Sequence, residues 1–345
     1  MTGPVAIALS GGVDSLVAAH LLKREHGDLF GLHFLTGYEN PSPSGLQPLR
    51  QLCRQLGIPL HVVDLKTPFK TEVVDYFTAA YRSGQTPNPC LVCNSAIKFG
   101  LVLQAARQLG ASHLATGHYA RVAVGCDGRY RLCKGSDAVK DQSYFLARLN
   151  QGQLARAVFP LGEWTKRAVR QLAEEKGLSP WVRQESQDVC FIRDTTYADF
   201  LTQSQGLCPQ AGDIVDSAGR RIGTHGGLHR YTVGQRRGIN CPAGQPYYVV
   251  RLDCRHNRLV VGFKEELALP ECRVTDINWI AAPPTAPSAV EVRLRYRHRP
   301  VRCTVTLEAS AEAWVRFEQP QAAVTPGQAA VFYRGERVLG GGWIV

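Results

Sequence analysis

Two patterns of hydrophobic positions divide the chain. Up to about residue 117, short apolar runs alternate with stretches in which apolar residues recur every three or four positions. This spacing predicts a strand beginning at Val5, further strands at 29–35, 60–65 and 113–116, and helices at about 49–56, 69–82 and 95–109. Strands that alternate with helices form a parallel sheet with helices on both faces, so we expect an α/β domain.

The rest of the chain changes from mixed to all-β. Between about 118 and 205 the pattern predicts a hairpin of strands 121–124 and 130–133 and an amphipathic helix over 164–176. From about 206, short alternating runs predict strands at 247–252, 258–261, 291–298 and 329–333. We therefore predict an α/β domain over 1–205, a small mostly-β central domain over 206–275 and a C-terminal β-barrel over 276–345.

A glycine-rich bend follows the first predicted strand. The sequence Ser10-Gly11-Gly12-Val13-Asp14-Ser15 leads directly into apolar residues at helical spacing. The glycines let the backbone approach a phosphate closely, and the N-terminal end of the helix presents N–H groups to it. The carboxylate of Asp14 would repel that phosphate unless a cation lay between them, which predicts Mg²⁺. No lysine follows the glycines, so the loop differs from the type that binds terminal phosphates through a lysine.

Composition and charge narrow the class of protein. We see no segment of about 18 apolar residues and no signal peptide, so we expect a cytoplasmic protein that does not bind a membrane. In that compartment 11 cysteines indicate buried, reactive or metal-bound thiols rather than structural disulfides. The excess of 40 Lys and Arg over 29 Asp and Glu, a net charge of +11, favours a polyanionic partner.

Three cysteines are candidates for chemistry. Cys90 and Cys93 lie in the proline-rich stretch 86–94, just before a predicted helix. A thiol at the N-terminus of a helix is stabilised as a thiolate, which lowers its pKa. Alternatively, these two cysteines could be half of a zinc site, or they could be a redox pair. A zinc site would need a second pair of Cys or His residues at the usual spacing, and none occurs. Cys190, between Val189 and Phe191, is by itself more typical of a buried apolar residue.

Arginine occupies every second position from Arg293 to Arg299. Since side chains alternate between the two faces of a strand, the predicted strand would place four guanidinium groups on one face. Like charges in a row repel each other unless an anion covers them. This face is therefore a candidate for contact with nucleic-acid phosphates.

Several motifs occur in the order found in one enzyme family. They are the loop 10–15, which resembles that of the PP-loop ATP pyrophosphatases, and the stretches 88–94, 115–121, 140–146, 186–192, 231–236, 295–297 and 324–331. Nearly the whole chain thus resembles the bacterial tRNA-specific 2-thiouridylases, the MnmA family. The resemblance implies an N-terminal domain of the adenine nucleotide α-hydrolase type.

The resemblance also implies a reaction. Enzymes of this family use ATP to adenylate the 2-oxygen of the wobble uridine of tRNA, and then replace that oxygen by sulfur. By resemblance Cys190 carries the sulfur as a persulfide, Cys93 is the other catalytic cysteine, and the two can end as a disulfide. The partners implied are a tRNA with a wobble uridine and a sulfur donor, either a protein or sulfide.

The family motifs assign binding residues by position. Those implied for ATP are Ala8, Leu9, Ser10, Gly11, Gly12, Val13, Asp14, Ser15, Phe34 and Gly117. Those implied for tRNA are Asn88, Pro89, His118, Lys140, Asp141, Gln142, Arg295, Tyr296 and Gln328. The segment after Phe34 is shorter than is usual in the family, so contacts with adenine there are less firmly implied than phosphate contacts at 10–15.

Position 90 is a second departure from the family, which commonly has Asp there. That carboxylate is thought to assist proton transfer, so its role is unassigned in this chain and Cys90 becomes a further catalytic candidate. Related thiolases hold a [4Fe-4S] cluster on three cysteines. An alternative mechanism therefore has Cys90, Cys93 and Cys190 bind such a cluster, which would carry the sulfur.

Two other functions are compatible with parts of the sequence. A PP-loop synthetase that inserts nitrogen would need no paired cysteines, and a non-catalytic RNA-binding protein would use the loop only structurally. The sulfur donor, the set of tRNAs and the oligomeric state stay open at this point.

Overall fold

The computed structural model describes residues 3–39, 45–180 and 189–345. Residues 40–44, in the stretch that follows the second predicted strand, lie outside these ranges. So do residues 186–188 of the motif that contains Cys190. The helices are α1 (Val13–Glu25), α2 (Gln47–Gln55), α3 (66–82), α4 (Pro89–Gln108), α5 (Gln151–Leu154), α6 (Lys166–Glu175) and α7 (197–204). Short 3₁₀ turns occupy Ser143–Leu146, Leu228–Arg230 and Lys264–Leu267.

The strands belong to three sheets. They are β1 (Val5–Ala8), β2 (Leu29–Leu35), β3 (Leu60–Asp64), β4 (His113–Ala115), β5 (Ala120–Val124), β6 (Tyr130–Lys134), β7 (Ala157–Val158), β8 (Gly212–Asp216), β9 (Arg221–His225), β10 (Tyr248–Asp253), β11 (Arg258–Gly262), β12 (Ala268–Trp279), β13 (Ser288–Arg293), β14 (Val301–Ala309), β15 (Glu312–Ala322), β16 (Ala329–Arg334) and β17 (Arg337–Ile344).

The first sheet is parallel throughout and has the order β3-β2-β1-β4-β7. Alternate residues of β1 face opposite cores: Val5 and Ile7 pack with α1, whereas Ala6 packs with α3 and α4. The predicted α/β domain is confirmed. The loop after β1 leaves the middle of the sheet at its carboxyl edge, where ligands bind in such domains. The pattern missed β7, because two residues show no periodicity.

Helix α4 begins earlier than predicted. It starts at Pro89 rather than near 95, because the fixed φ of proline suits the first position of a helix. Cys90 and Cys93 therefore lie in its first two turns and not in a preceding loop. From Cys93 to Val102 its hydrogen bonds are of the π type, which brings residues five positions apart onto one face.

The composition of α4 also corrects the expectation about apolar segments. The helix is 20 residues long and, by length and composition alone, apolar enough to cross a membrane. Half of its apolar window is buried, and Ile97, Phe99 and Val102 belong to the core shared with the first sheet. The apolar character is that of a core helix.

The remaining two sheets follow the predicted all-β pattern. Strands β10-β11-β8-β9 form the central sheet. Strands β12-β15-β14-β13-β16-β17 form a six-stranded barrel, which closes because β12 also pairs with β17. The hairpin of β5 and β6 extends this sheet, since Cys133 pairs with Arg337.

The boundary predicted at residue 275 is wrong, because it falls inside β12, which begins at Ala268. An irregular register between Leu269 and Glu271 interrupts the alternation by which the strand would have been found. The barrel therefore starts before the predicted boundary.

Candidate active site

The phosphate loop leaves the carboxyl end of β1. Gly11 has a φ of +82°, which glycine adopts without strain. The hydroxyl of Ser15 donates to the carbonyl oxygen of Gly12 at 2.8 Å. No side chain of the described residues caps the N-terminus of α1, so its first N–H groups face outward unpaired by a cap. This is the geometry of an anion-binding helix end.

Two protein groups hold the carboxylate of Asp14. The Nζ atom of Lys166 lies 2.8 Å from each carboxylate oxygen, and the hydroxyl of Tyr119 donates to Oδ1 at 2.7 Å. Lys166 is only 7% exposed. The cation beside Asp14 is therefore a lysine from α6. The argument that required Mg²⁺ to neutralise this carboxylate is corrected, because the protein supplies the charge itself.

Gly117 packs against the start of α1. A Cβ atom at this position would lie 3.0 Å from the carbonyl carbon of Asp14 and from the backbone nitrogen of Ser15. Any side chain there would displace the loop. Phe34 lies near the carboxyl end of the neighbouring strand β2, half-buried against the core that contains α4.

The segment that precedes the cysteines of α4 is held by all three domains. The N–H of Thr86 donates to the carbonyl oxygen of Pro326 at 2.8 Å, and the side-chain amide of Gln328 donates to the carbonyl oxygen of Thr86 at 2.9 Å. Both partners belong to the barrel. In the central domain, the hydroxyl of Thr232 lies 3.3 Å from that of Thr86. Asn88 directly precedes the first residue of α4, and the buried hydroxyl of Tyr144 donates to the carbonyl oxygen of Ala329 in the barrel at 3.0 Å.

Cys190 is exposed, but its neighbour is not. Phe191 is 4% exposed, and its ring packs edge-on against Phe77, with ring centroids 5.3 Å apart. The rings of Phe200 and Tyr38 lie 5.5 and 5.8 Å away. Within the described residues, this aromatic cluster attaches the segment that bears Cys190 to α3 and α7.

Folding brings the three candidate cysteines within electrostatic range of one another. Burial is the main reason why the pKa of Cys90 rises to about 11 and that of Cys93 to about 12, and the nearby charge of Cys190 opposes their ionisation as well. Cys190 retains solvent access, yet the protein packed around its sulfur also raises its pKa. The predicted lowering of the thiol pKa at the helix end is wrong, since burial outweighs it.

Lys98 is the cation that all three thiols share. It lies five residues after Cys93 on the π-type part of α4. Its positive charge acts against the effect of burial on the pKa of Cys90, Cys93 and Cys190. Sequence reasoning missed this residue. The available signal was a single charge inside the apolar run 97–103.

His118 connects the thiols to the phosphate loop. Its Nδ1 atom lies 2.7 Å from the hydroxyl of Thr116, and it directly follows Gly117, which touches the loop. Burial, and secondarily the charge of Lys98, lower the pKa of His118 well below its usual value. The ring is therefore neutral at pH 7. The charge of Lys98 thus acts both on the three thiols and on the residue next to the glycine that packs on the loop.

The turn over 137–142 contains three of the residues implied for tRNA. Asp141 is 2% exposed, and its carboxylate accepts from the guanidinium of Arg293 at 3.0 Å and from the N–H of Ser143 at 3.0 Å. Gln142 accepts from the N–H of Tyr119 at 3.0 Å. The structure thus uses both side chains to shape the turn, while Lys140 is half-buried near the surface.

The predicted face of four arginines does not exist. β13 ends at Arg293, and the chain then turns, with the N–H of His298 donating to the carbonyl oxygen of Arg295. Arg293 pairs with Asp141, and Arg295 donates to the carbonyl oxygens of Val233 and Ala323 at 3.1 and 2.7 Å. Those buried acceptors draw the two side chains inward, which leaves the outer arginines exposed.

Tyr296 packs on Phe145, with ring centroids 4.2 Å apart. This contact joins the barrel to the motif 140–146. Arg295, Tyr296 and Gln328, which were implied for tRNA, therefore also connect domains. Their contact with RNA stays a prediction.

Lys166 and Tyr119 were also missed as site residues. Tyr119 lies inside a motif quoted above but carried no role. Lys166 begins an amphipathic helix that the pattern alone assigns to the surface. Only the pairing of α6 with α1 reveals its contact with Asp14.

The three thiols do not form a metal-ligand set. In the part of the chain that the structure describes, no three His, Cys, Asp or Glu side chains come close enough together to hold a metal ion. Cys90, Cys93 and Cys190 are electrostatic neighbours but do not form such a group among the described residues.

The parallel sheet, its phosphate loop and the adjacent thiols define a nucleotide-binding α/β protein of the HUP class. Residues 3–194 match the family described as tRNA methyl transferase HUP domain. Residues 198–263 match the tRNA methyl transferase PRC-barrel domain, and residues 270–344 match the aminomethyltransferase β-barrel domain.

Full-length relatives identify the family. The chain is 54% identical to tRNA-specific 2-thiouridylase MnmA of Desulfosudis oleivorans, over 99% of this chain and 94% of that protein. It is 47% identical to tRNA-specific 2-thiouridylase MnmA of Geobacter metallireducens, over 99% of this chain and 96% of that protein. The chain belongs to the MnmA family, as its motifs predicted.

A more remote likeness is to a solved U34-tRNA thiolase, NcsA of Methanococcus maripaludis, with its [4Fe-4S] cluster. The likeness covers 59% of this chain and 64% of that chain, at 20% identity and a TM-score of 0.37. A similarity of this level assigns no cofactor here.

Proposed function

We propose that the protein is an ATP-dependent sulfurtransferase that converts the wobble uridine of tRNA to 2-thiouridine. Membership of a family named for tRNA 2-thiouridylation supports the proposal. The observation that carries it is the shared charge of Lys98, which acts on Cys90, Cys93 and Cys190 and also on His118, the residue that follows the glycine packed on the phosphate loop.

The reaction has two steps. The 2-oxygen of the uridine attacks the α-phosphorus of ATP, the bond to the β-phosphate breaks, and pyrophosphate leaves. A sulfur nucleophile then attacks C2 of the base, and AMP leaves with the original oxygen. The N–H groups at the start of α1, which no side chain of the described residues caps, suit the charge that develops on the phosphates.

We assign sulfur delivery to Cys190 and the disulfide-forming role to Cys93. The outer sulfur of a Cys190 persulfide attacks C2, and the thiolate of Cys93 then attacks the inner sulfur. The S–S bond of the persulfide breaks, a Cys93–Cys190 disulfide forms, and the outer sulfur stays on the base. A reducing thiol restores both cysteines. Lys98 stabilises the thiolates that this sequence requires.

The position of Cys90 gives it a different role from the Asp common in the family. With a pKa raised to about 11, its thiol is protonated at neutral pH, whereas an exposed carboxylate would be ionised. We propose that Cys90 donates a proton during the displacement. The alternative in which the three cysteines carry sulfur on a [4Fe-4S] cluster has less support, because the described residues contain no group of side chains that could hold a metal ion.

The proposed partners follow from the reaction. ATP binds at residues 8–15 as its Mg²⁺ complex, with the metal on the triphosphate, since Lys166 already neutralises Asp14. A tRNA contacts Asn88, Pro89, His118, the turn 140–142, Arg295, Tyr296 and Gln328. A persulfide-bearing protein transfers its outer sulfur to the thiolate of Cys190 and is left with a thiol, whereas free sulfide, which is already reduced, would act only by attacking the adenylated C2 directly. The reaction takes place in the cytoplasm without a membrane.

Pyrophosphate release tests the proposal. Purified protein with ATP, a wobble-uridine tRNA and inorganic polysulfide should release pyrophosphate only when tRNA is present, and mass spectrometry of the tRNA should show one oxygen replaced by sulfur. A non-catalytic RNA-binding protein would bind the tRNA and release none. Replacement of oxygen by nitrogen would instead identify a PP-loop synthetase.

A further inference from the structure

A ring of hydrogen bonds joins the phosphate loop to the turn 137–142. At the loop, Lys166 and Tyr119 both bind the carboxylate of Asp14 through their side chains, at 2.8 and 2.7 Å. Lys166 is almost fully buried. A buried ammonium group is strongly destabilised when it loses its carboxylate, so this contact keeps the side chain of Lys166 beside Asp14.

The backbones of the same two residues bind the turn. The N–H of Lys166 donates to Asp137 Oδ2 at 2.9 Å, and Tyr119 and Gln142 exchange two hydrogen bonds, at 3.0 and 2.9 Å. The other oxygen of Asp137 accepts from the N–H of Lys140 at 3.2 Å. Lys166 and Tyr119 each therefore contact the loop with a side chain and the turn with the main chain.

We propose that Lys166 and Tyr119 are positioning residues that couple the ATP loop to the turn 137–142, so that tRNA and ATP strengthen each other's binding. The inference rests on the proposed function, in which Lys140 and Gln142 meet tRNA. When tRNA binds the turn and holds it in place, the start of α6 is also held, because Lys166 is hydrogen-bonded to the turn. The ammonium group of Lys166 is then fixed beside the loop. ATP then binds a loop that is already ordered and whose own carboxylate is neutralised.

Coupling between two binding sites is reciprocal, and its usual size is about 5- to 150-fold in affinity. An enzyme coupled in this way binds ATP weakly until the correct RNA is present. It would thereby limit cleavage of ATP without tRNA.

The test measures the dissociation constant of an α,β-methylene ATP analogue with and without unmodified wobble-uridine tRNA. The wild-type protein should bind the analogue at least about fivefold more tightly when tRNA is present. Tyr119→Phe keeps the ring and the main chain but removes the hydroxyl that donates to Asp14, and it should bring that ratio close to one, while the affinity for tRNA alone stays unchanged. Lys166→Met should reduce the ratio as well.

Lys70→Met is the matched control, because it also removes a lysine that is paired with an aspartate, but the pair, with Asp75, is exposed and lies within α3. It should leave the ratio at the wild-type value. Thermal unfolding of each variant, together with tRNA affinity, verifies that the protein is folded.

The outcomes separate the two proposals. A wild-type ratio of one, or an unchanged ratio in folded Tyr119→Phe, overturns the coupling. Equal losses of analogue affinity with and without tRNA in both variants would also overturn it, since they indicate a purely local role. Wild-type protein that binds neither the analogue nor tRNA would instead refute the proposed function.

Discussion

The two segments that bear Cys93 and Cys190 are built in opposite ways. Cys93 is buried near the start of a 20-residue helix, and the chain just before that helix is hydrogen-bonded by the central domain and the barrel. Cys190 is exposed, and beside it a single buried ring, that of Phe191, packs in an aromatic cluster.

The difference fits a division of labour. A thiol that accepts sulfur from another molecule must be reachable, and it must move between the donor and the base. A thiol that breaks the persulfide next to the base needs a fixed position and protection from other oxidants. The rigid position of Cys93 and the accessibility of Cys190 thus meet two different requirements of the same reaction.

The largest expected effect comes from exchanging each thiol for a hydroxyl. Both Cys190→Ser and Cys93→Ser should lower 2-thiouridine formation by at least about 10³-fold, because serine neither carries nor breaks a persulfide. Incubation with ³⁵S-labelled polysulfide should then label Cys93→Ser and leave Cys190→Ser unlabelled. Cys126→Ser, at an exposed position in the β5–β6 turn, is the control. Label on Cys190→Ser would reverse the two roles.

Removal of the aromatic anchor should have the next largest effect. Phe191→Ala leaves a cavity among Phe77, Phe200 and Tyr38 and should lower the free energy of unfolding by about 3–5 kcal/mol. Phe191→Leu keeps most of the volume and should cost less than about 1.5 kcal/mol. Urea unfolding measures both. Equal stability of the two variants would show that the ring does not anchor Cys190.

The pH dependence of alkylation should distinguish the thiols. Each pKa is raised, so each thiolate is the minor form at pH 7 and its population grows about tenfold per pH unit up to that pKa. Iodoacetamide should therefore modify Cys190 first, Cys90 more slowly and Cys93 slowest, all faster at pH 9 than at pH 7. Lys98→Met should slow all three reactions. Peptide mass spectrometry gives the rates, and a fast, pH-independent Cys93 would contradict the assignment.

The smallest effect is expected at the attachment of the barrel to the segment before α4. Gln328→Leu loses the hydrogen bonds to the carbonyl oxygens of Thr86 and Pro87, at 2.9 and 3.3 Å. Each such bond contributes about 0.5–1.5 kcal/mol, so thiolation should fall by no more than about two orders of magnitude. Gln321→Leu is the control, because this half-buried amide on β15 donates to Gln319 of the same strand, and it should leave the rate unchanged. An unaltered rate in Gln328→Leu would show that the segment needs no support from the barrel.

Local signals in the sequence were sufficient for most elements. The alternation of strands and helices predicted the first sheet, and β2 was placed with its observed bounds. The prediction of secondary structure failed where one local sequence pattern is compatible with two different structures. Pro89 was taken as part of a rigid loop although proline also begins helices, and the arginines after Arg293 alternate as in a strand but lie in a turn.

Charges and acceptors from distant parts of the chain explain the remaining differences. Asp14 seemed to require a metal ion because Lys166 is 152 positions away. Arg295 seemed available to RNA because its acceptors lie 62 and 28 positions away. No pattern within one segment reports such partners.

The sequence by itself determined the order of the elements, the phosphate loop and the family, because each depends on residues close together in the chain or on motifs in a fixed order. Only the tertiary structure decided which charges meet: Lys166 with Asp14, Lys98 with three thiols, and Asp141 with Arg293. The reason is physical, since electrostatic and desolvation energies depend on distances in space and on burial, and neither quantity is encoded in the spacing of residues along the chain.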